Sequence, residues 1–134
     1  MSVVRTYIVE DNPVILDSLR DTLEELTEVQ VVGTAADEAA AVQCMRKDTQ
    51  EIDLMIIDVF LASGSGLSVL RSAQQLNVQA RRVVLTNYAT PDIRRRCAAL
   101  GADRVFDKSS EIEDLIAYCS RISDGTATVP GAIS

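Results

Sequence analysis

The sequence predicts an α/β fold, a parallel sheet with helices on both of its faces. Three observations carry this. Short, apolar, β-branched runs alternate five times with segments whose apolar residues recur at helical spacing. The run at 52–60, IDLMIIDVF, is almost continuously apolar, as expected of a strand covered on both sides. Acids stand at the far ends of the first and third runs, Glu10 and Asp11 after one and Asp58 within the other. Adjacent parallel strands would gather these three carboxylates at their carboxyl ends, the edge where open α/β sheets bind ligands. Singly, each acid has a plainer reading: Asp58 as a turn residue, Glu10 and Asp11 as helix-capping charges.

The elements follow in order. Residues 3–9 read as strand one. Asn12 and Pro13 start helix one, with Asn as N-cap and Pro in the first turn, and Ile15, Leu19, Leu23 and Leu26 form its buried stripe. Residues 29–32 read as strand two, closed by Gly33. Asp37 caps helix two, which reaches about Arg46. Strand three spans 52–60. The Gly64-Ser65-Gly66 stretch reads as a flexible turn, and helix three runs from about Leu67 to Leu76 with Asn77 as its stop. Residues 82–85 make strand four, ending at Thr86. Thr90-Pro91 starts helix four and Gly101 ends it. Residues 104–106 make strand five, with Lys108 just beyond. Ser110 and Glu113 have capping-box spacing before helix five, whose Ile112, Leu115, Ile116 and Cys119 share a face. The expected domain is 1–124, followed by a short flexible tail at 125–134.

Composition narrows the function. With 134 residues and 47% hydrophobic content the chain suits one domain with a real core. No apolar run approaches the ~20 residues that cross a bilayer, and the N-terminus lacks a secretory signal pattern, so a cytoplasmic location is expected. A formal net charge of −7 opposes binding to nucleic-acid backbone. Cys44, Cys97 and Cys119 are widely spaced and read as buried thiols. The chain has no His, which removes histidine bases, Ser-His-Asp triads and most zinc sites. It also lacks the glycine-rich phosphate loops.

Glu10-Asp11, Asp58, Thr86 and Lys108, each at a predicted strand end, together with Gly66, make the chain resemble the receiver domain of bacterial two-component response regulators over roughly residues 3–123. The resemblance implies a flavodoxin-like (βα)5 fold with strand order 2-1-3-4-5. It implies Asp58 as phosphoacceptor, with Glu10, Asp11, Asp58 and the Phe60 backbone carbonyl holding Mg2+. It also implies Thr86 as switch hydroxyl and Lys108 as phosphate partner. The implied activity is not that of an enzyme acting on others but self-phosphorylation and slow autodephosphorylation. The implied partners are a sensor histidine kinase or histidine phosphotransfer protein and a downstream protein target. That target would be bound through helix four, strand five and helix five, without direct DNA binding by this chain.

The chemistry suits those residues. At an effective dielectric near 20, each close pair of carboxylates costs about 4 kcal/mol, and a divalent cation removes that cost. Positioning and charge neutralisation do most of the work of phosphoryl transfer, and Lys and Thr supply a point charge and a hydrogen-bond donor.

The chain departs from the family pattern in places. Val105 stands where an aromatic switch residue is common, and Phe106 should face the other side of the sheet. Tyr88 is a candidate substitute. Ala62 and Ser109 replace common prolines. Asn87, Phe60 and Tyr88 should crowd the path of attacking water and slow loss of the phosphoryl group. Arg94, Arg95 and Arg96 are either a solvated helix surface or contacts for an acidic partner or a second, phosphorylated copy. Other readings stay open. The chain is a portion of a longer regulator, or a non-phosphorylated pseudo-receiver that only binds, or an enzyme on the same fold. Against the last, Phe60 stands where Asp-nucleophile phosphatases carry a second Asp.

Overall fold

The structure is a computed structural model and describes residues 3–47 and 51–123. The expected tail lies outside these residues. Strands and helices alternate along the chain: β1 (Val4–Val9), α1 (Pro13–Leu26), β2 (Val29–Ala35), α2 (Glu38–Lys47), β3 (Leu54–Ile57), α3 (Gly66–Gln75), β4 (Arg81–Thr86), α4 (Pro91–Ala99), β5 (Arg104–Asp107) and α5 (Ile112–Ser123). The sheet has the order β2-β1-β3-β4-β5 and every pairing is parallel. The flavodoxin-like architecture is therefore as expected.

Two apolar clusters sandwich the sheet. On one side Tyr7, Val9, Met55, Ile57 and Val84 pack against α2, α3 and α4 through Ala41, Met45, Val69, Leu70 and Cys97. On the other, Ile8, Leu54, Ile56, Leu85 and Phe106 pack against α1 and α5 through Leu19, Leu23, Leu115 and Tyr118. This division follows from strand alternation, which sends successive side chains to opposite faces. Val105 joins the first cluster and Phe106 the second, so the predicted facing of Phe106 is correct.

The helix-start caps act as read, although Leu26 of the expected α1 stripe is exposed and only Leu19 and Leu23 of it are buried. Asn12 accepts from the Val14 and Ile15 N–H groups, Asp37 from Ala40 and Thr90 from Ile93. Asn77 at φ 55° and Gly101 at φ 96° take the left-handed backbone that ends α3 and α4. Other signals misled. β3 stops at Ile57 and not at Phe60: Asp58 Oδ1 accepts the Phe60 N–H at 3.2 Å, and Phe60 instead forms an isolated antiparallel bridge with Ser65. β2 does not close at Gly33. The strand passes through that glycine to Ala35 with a register shift beside it. A Cβ at Gly33 would lie 2.8 Å from the Tyr7 ring, so close packing explains this glycine. The capping box is absent. α5 begins at Ile112, one residue later than a Ser110 cap would set it. Cys97 and Cys119 are buried, Cys44 is partly buried against the first cluster, and all three thiols are free. No helix among the described residues is long and apolar enough to cross a membrane.

Candidate functional site

The sheet's carboxyl edge brings the predicted residues together. The Glu10 N–H donates to the Ala35 carbonyl (2.9 Å), tying the end of β1 to β2. The Asp58 N–H donates to the Val9 carbonyl (3.0 Å), so the central strands place that carboxylate beside the other two acids. The Lys108 N–H donates to the Thr86 carbonyl (2.9 Å), which fixes the lysine at the end of β5. A cavity of about 170 Å³ is lined by Glu10, Asp11, Asp58, Phe60, Thr86 and Lys108, with Asn87 and Tyr88 among its further walls.

One carboxylate oxygen from each of Glu10, Asp11 and Asp58 lies within 4.8 Å of the others. Lys108 reaches in from β5. Its Nζ donates to Glu10 Oε1 at 2.6 Å and to Asp58 Oδ2 at 2.9 Å. Burial pushes the Glu10 carboxyl above its ordinary range, and the lysine works against that push. Burial pulls the Lys108 pKa down, but its bonds to Glu10 and Asp58 outweigh this and raise it above its ordinary value. Three carboxylates against one ammonium leave two negative charges uncompensated. An all-oxygen donor set with that deficit fits a hard divalent cation.

Thr86 is fully buried and its Oγ1 accepts the Tyr88 N–H at 3.3 Å. Tyr88 does not turn inward. It is 59% exposed, and its ring meets the half-exposed Phe60 ring edge-on at 4.8 Å over the cavity rim. Gly66 sits beneath the site. A Cβ there would lie 2.0 Å from the Asp58 carbonyl oxygen. The Gly64–Gly66 stretch is thus not merely a flexible turn, because Gly66 is where α3 presses on the strand end that carries Asp58.

Some participants had no sequence signal. Backbone N–H groups hold the acids: Asn12 donates to Glu10, Phe60 to Asp58 and Ala62 to Asp11. Of the three α4 arginines, Arg95 and Arg96 pair with Asp92 on the exposed helix. Arg94 turns inward. It donates to the Ala89 carbonyl (3.1 Å), the Val105 carbonyl (3.0 Å) and Glu111 Oε1 (2.6 Å).

Comparison with known proteins agrees with this architecture. The profile of the response regulator receiver domain matches residues 6–120, and the chain belongs to that family. A transcriptional regulatory protein of Bacillus subtilis strain 168, YvfU, is 29% identical over 112 residues, 84% of this chain and 55% of that protein. The Fimbriae Z protein of Salmonella typhimurium is 22% identical, covering 97% of this chain and 61% of its own length. The chain therefore spans little more than half of these relatives. Among solved structures, a LuxR-family two-component response regulator from Aurantimonas sp. SI85-9A1 superposes with TM-score 0.83 at 25% identity, covering 96% of this chain and 91% of that one. A Burkholderia pseudomallei response regulator, solved with a phosphorylated aspartic acid and a calcium ion, gives TM-score 0.73 at 24% identity over 91% of this chain and 69% of its own.

Proposed function

We propose that this chain accepts a phosphoryl group on Asp58 from a phosphohistidine donor and in response switches a protein-binding surface on α4, β5 and α5. The observation that carries this is the Lys108 ammonium bonded to Glu10 and Asp58 in one small cavity beside the buried Thr86. Glu10, Asp11, Asp58 and the Phe60 carbonyl would hold Mg2+, which when bound neutralises the acids and screens the phosphoryl oxygens. An Asp58 oxygen attacks phosphorus. The P–N bond of the donor breaks, its electron pair leaves with the imidazole, and an acyl phosphate remains on Asp58. Lys108 moves from the carboxylate pair to a phosphoryl oxygen, and the Thr86 hydroxyl gives up the Tyr88 N–H to donate to another. The donor is a sensor histidine kinase or histidine phosphotransfer protein.

The switch begins at Thr86. Its movement would draw in the Asn87–Thr90 loop, and Arg94 ties that loop through Ala89 to β5 and to Glu111 before α5. This link stands in for the aromatic residue that Val105 lacks. Phe60 and Tyr88 over the cavity rim favour slow water access and a long-lived phosphoryl group. A second reading is favoured by the relatives' names: the chain is the receiver part of a longer transcriptional regulator, with residues 1–124 as the receiver unit.

With Mg2+ and acetyl phosphate, the wild type should gain the mass of one phosphoryl group and Asp58→Ala should gain none. Beryllofluoride should shift the amide resonances of residues 86–96 in the wild type alone. Equal labelling of Asp58→Ala would overturn the proposal.

A further inference from the structure

Each of the three clustered carboxylates has one oxygen held by a backbone N–H. For Glu10 and Asp58 the donor is local, two residues on: Asn12 at 3.1 Å and Phe60 at 3.2 Å. Those two acids are also held by Lys108. Asp11 is different. It is only partly buried, and Lys108 pairs with the other two acids. Its Oδ2 accepts instead from the N–H of Ala62, 51 residues away in the loop between β3 and α3, at 2.6 Å. A short carboxylate–amide bond of this kind is a charge-assisted one.

We infer that the Ala62 backbone N–H is a positioning group for the metal site, aiming the Asp11 carboxylate by holding Oδ2 and leaving Oδ1 to face a divalent cation. This deepens the metal-binding reading above and rests on it. The partner is a backbone group, and any residue but proline supplies it. Ala62, standing where the family commonly has proline, thus gives the Asp11 of this chain a donor that a proline there would not. The loop that holds Asp11 is anchored at both ends. Phe60 bridges to Ser65, and Gly66 packs onto the Asp58 carbonyl. The donor is thus carried on the segment that leaves the phosphoacceptor, and a cation drawn to Asp11 is coupled to the placement of that segment. Outer partners that orient a metal ligand typically change metal affinity by about 10–100-fold when removed.

The test compares Mg2+ dissociation constants, read from amide chemical shifts, for wild type, Ala62→Gly and Ala62→Pro. Thermal stability in EDTA is measured alongside. The glycine variant keeps the donor and should bind within about twofold of wild type. The proline variant should bind about tenfold more weakly, with its melting temperature in EDTA little changed. Proline binding as tightly as glycine would overturn the inference, as would equal weakening by both. Should the proline variant fail to fold, an ester linkage in place of the 61–62 amide removes the same N–H, and wild-type affinity there would overturn the inference too. A wild type that binds no Mg2+ at millimolar concentration would instead remove the metal reading itself, so the two failures are distinguishable.

Discussion

At the scale of single residues, the site depends on close approach as much as on charge. Gly66 shows this. A methyl group there would sit 2.0 Å from the Asp58 carbonyl oxygen and 2.7 Å from the Val59 Cα, both backbone atoms that cannot swing aside. Gly66→Ala should therefore push α3 off the end of β3, at a cost of about 1–3 kcal/mol as in other overpacked interiors. Chemical denaturation would measure the loss. The same change should slow phosphorylation of Asp58 by acetyl phosphate, since the carboxylate moves with its backbone. Unaltered stability in this variant would mean that the helix does not press on the strand. The charged members of the site were readable from sequence because each is an ionisable residue at the end of an apolar run. Gly66 was marked by the resemblance, but its physical reason was not readable, because a glycine in a turn and a glycine under a neighbouring backbone look alike in one dimension. The backbone donors that hold the acids leave no trace in side-chain chemistry at all.

At the scale of elements, α4, β5 and α5 are joined by one side chain. Arg94 bonds the loop before α4, the backbone of β5 and the residue preceding α5. The Glu111 carboxylate also accepts the Asp107 N–H, so both ends of the β5–α5 turn meet at it. Arg94→Ala should leave Asp58 phosphorylation near wild type. It should sharply reduce the beryllofluoride-induced amide shifts of residues 107–112 while those of 86–88 persist. Arg94→Lys should behave like the alanine variant, because an ammonium cannot serve three acceptors in the fixed directions of a guanidinium fork. Undiminished shifts at 107–112 would show that the signal travels elsewhere.

The same clasp depends on pH. The bond from Arg94, with a second from the Asp107 N–H, holds the Glu111 carboxyl below its ordinary value of 4.5. A lowered folded-state pKa stabilises the folded chain above the ordinary value, and that contribution is lost as pH falls through the lowered one. Titrating the Glu111 side chain by NMR in wild type and Arg94→Ala should show an upward move in the variant. Element boundaries proved harder to read than element types. The apolar run through 52–60 hides the point where Asp58 turns the chain, and Gly33 looks like a stop although β2 runs through it. Hydropathy reports burial, and both Val59 and Ala35 are buried whether or not they are in a ladder.

At the scale of the whole molecule, the sheet collects acids at one edge and leaves two of their charges unmatched. The folded state should therefore gain stability from a divalent cation that the unfolded chain does not bind. By linkage the gain is about 2.7 kcal/mol when Mg2+ exceeds its dissociation constant by about a hundredfold, enough to raise the melting temperature by several degrees. Asp11→Ala should lose most of that increment, as differential scanning calorimetry with and without Mg2+ would show. A melting temperature indifferent to Mg2+ would leave the charge deficit without a counterion. The alternation of strands and helices made the architecture readable as a parallel sheet. Its strand order was not implied by alternation, and it came from the resemblance of the strand-end residues.

The aromatic pair at the cavity rim also has a practical consequence. The chain contains no Trp and three Tyr. Tyr7 is buried with its hydroxyl on the Thr34 carbonyl, and Tyr118 is buried against Phe106. Tyr88 alone of the three stands at the mouth of the acidic cavity, edge-on to Phe60 and joined by its N–H to the Thr86 hydroxyl. The native protein thus carries its own optical probe, whose ultraviolet emission should report the proposed cation binding and phosphorylation in real time without a dye or an engineered label.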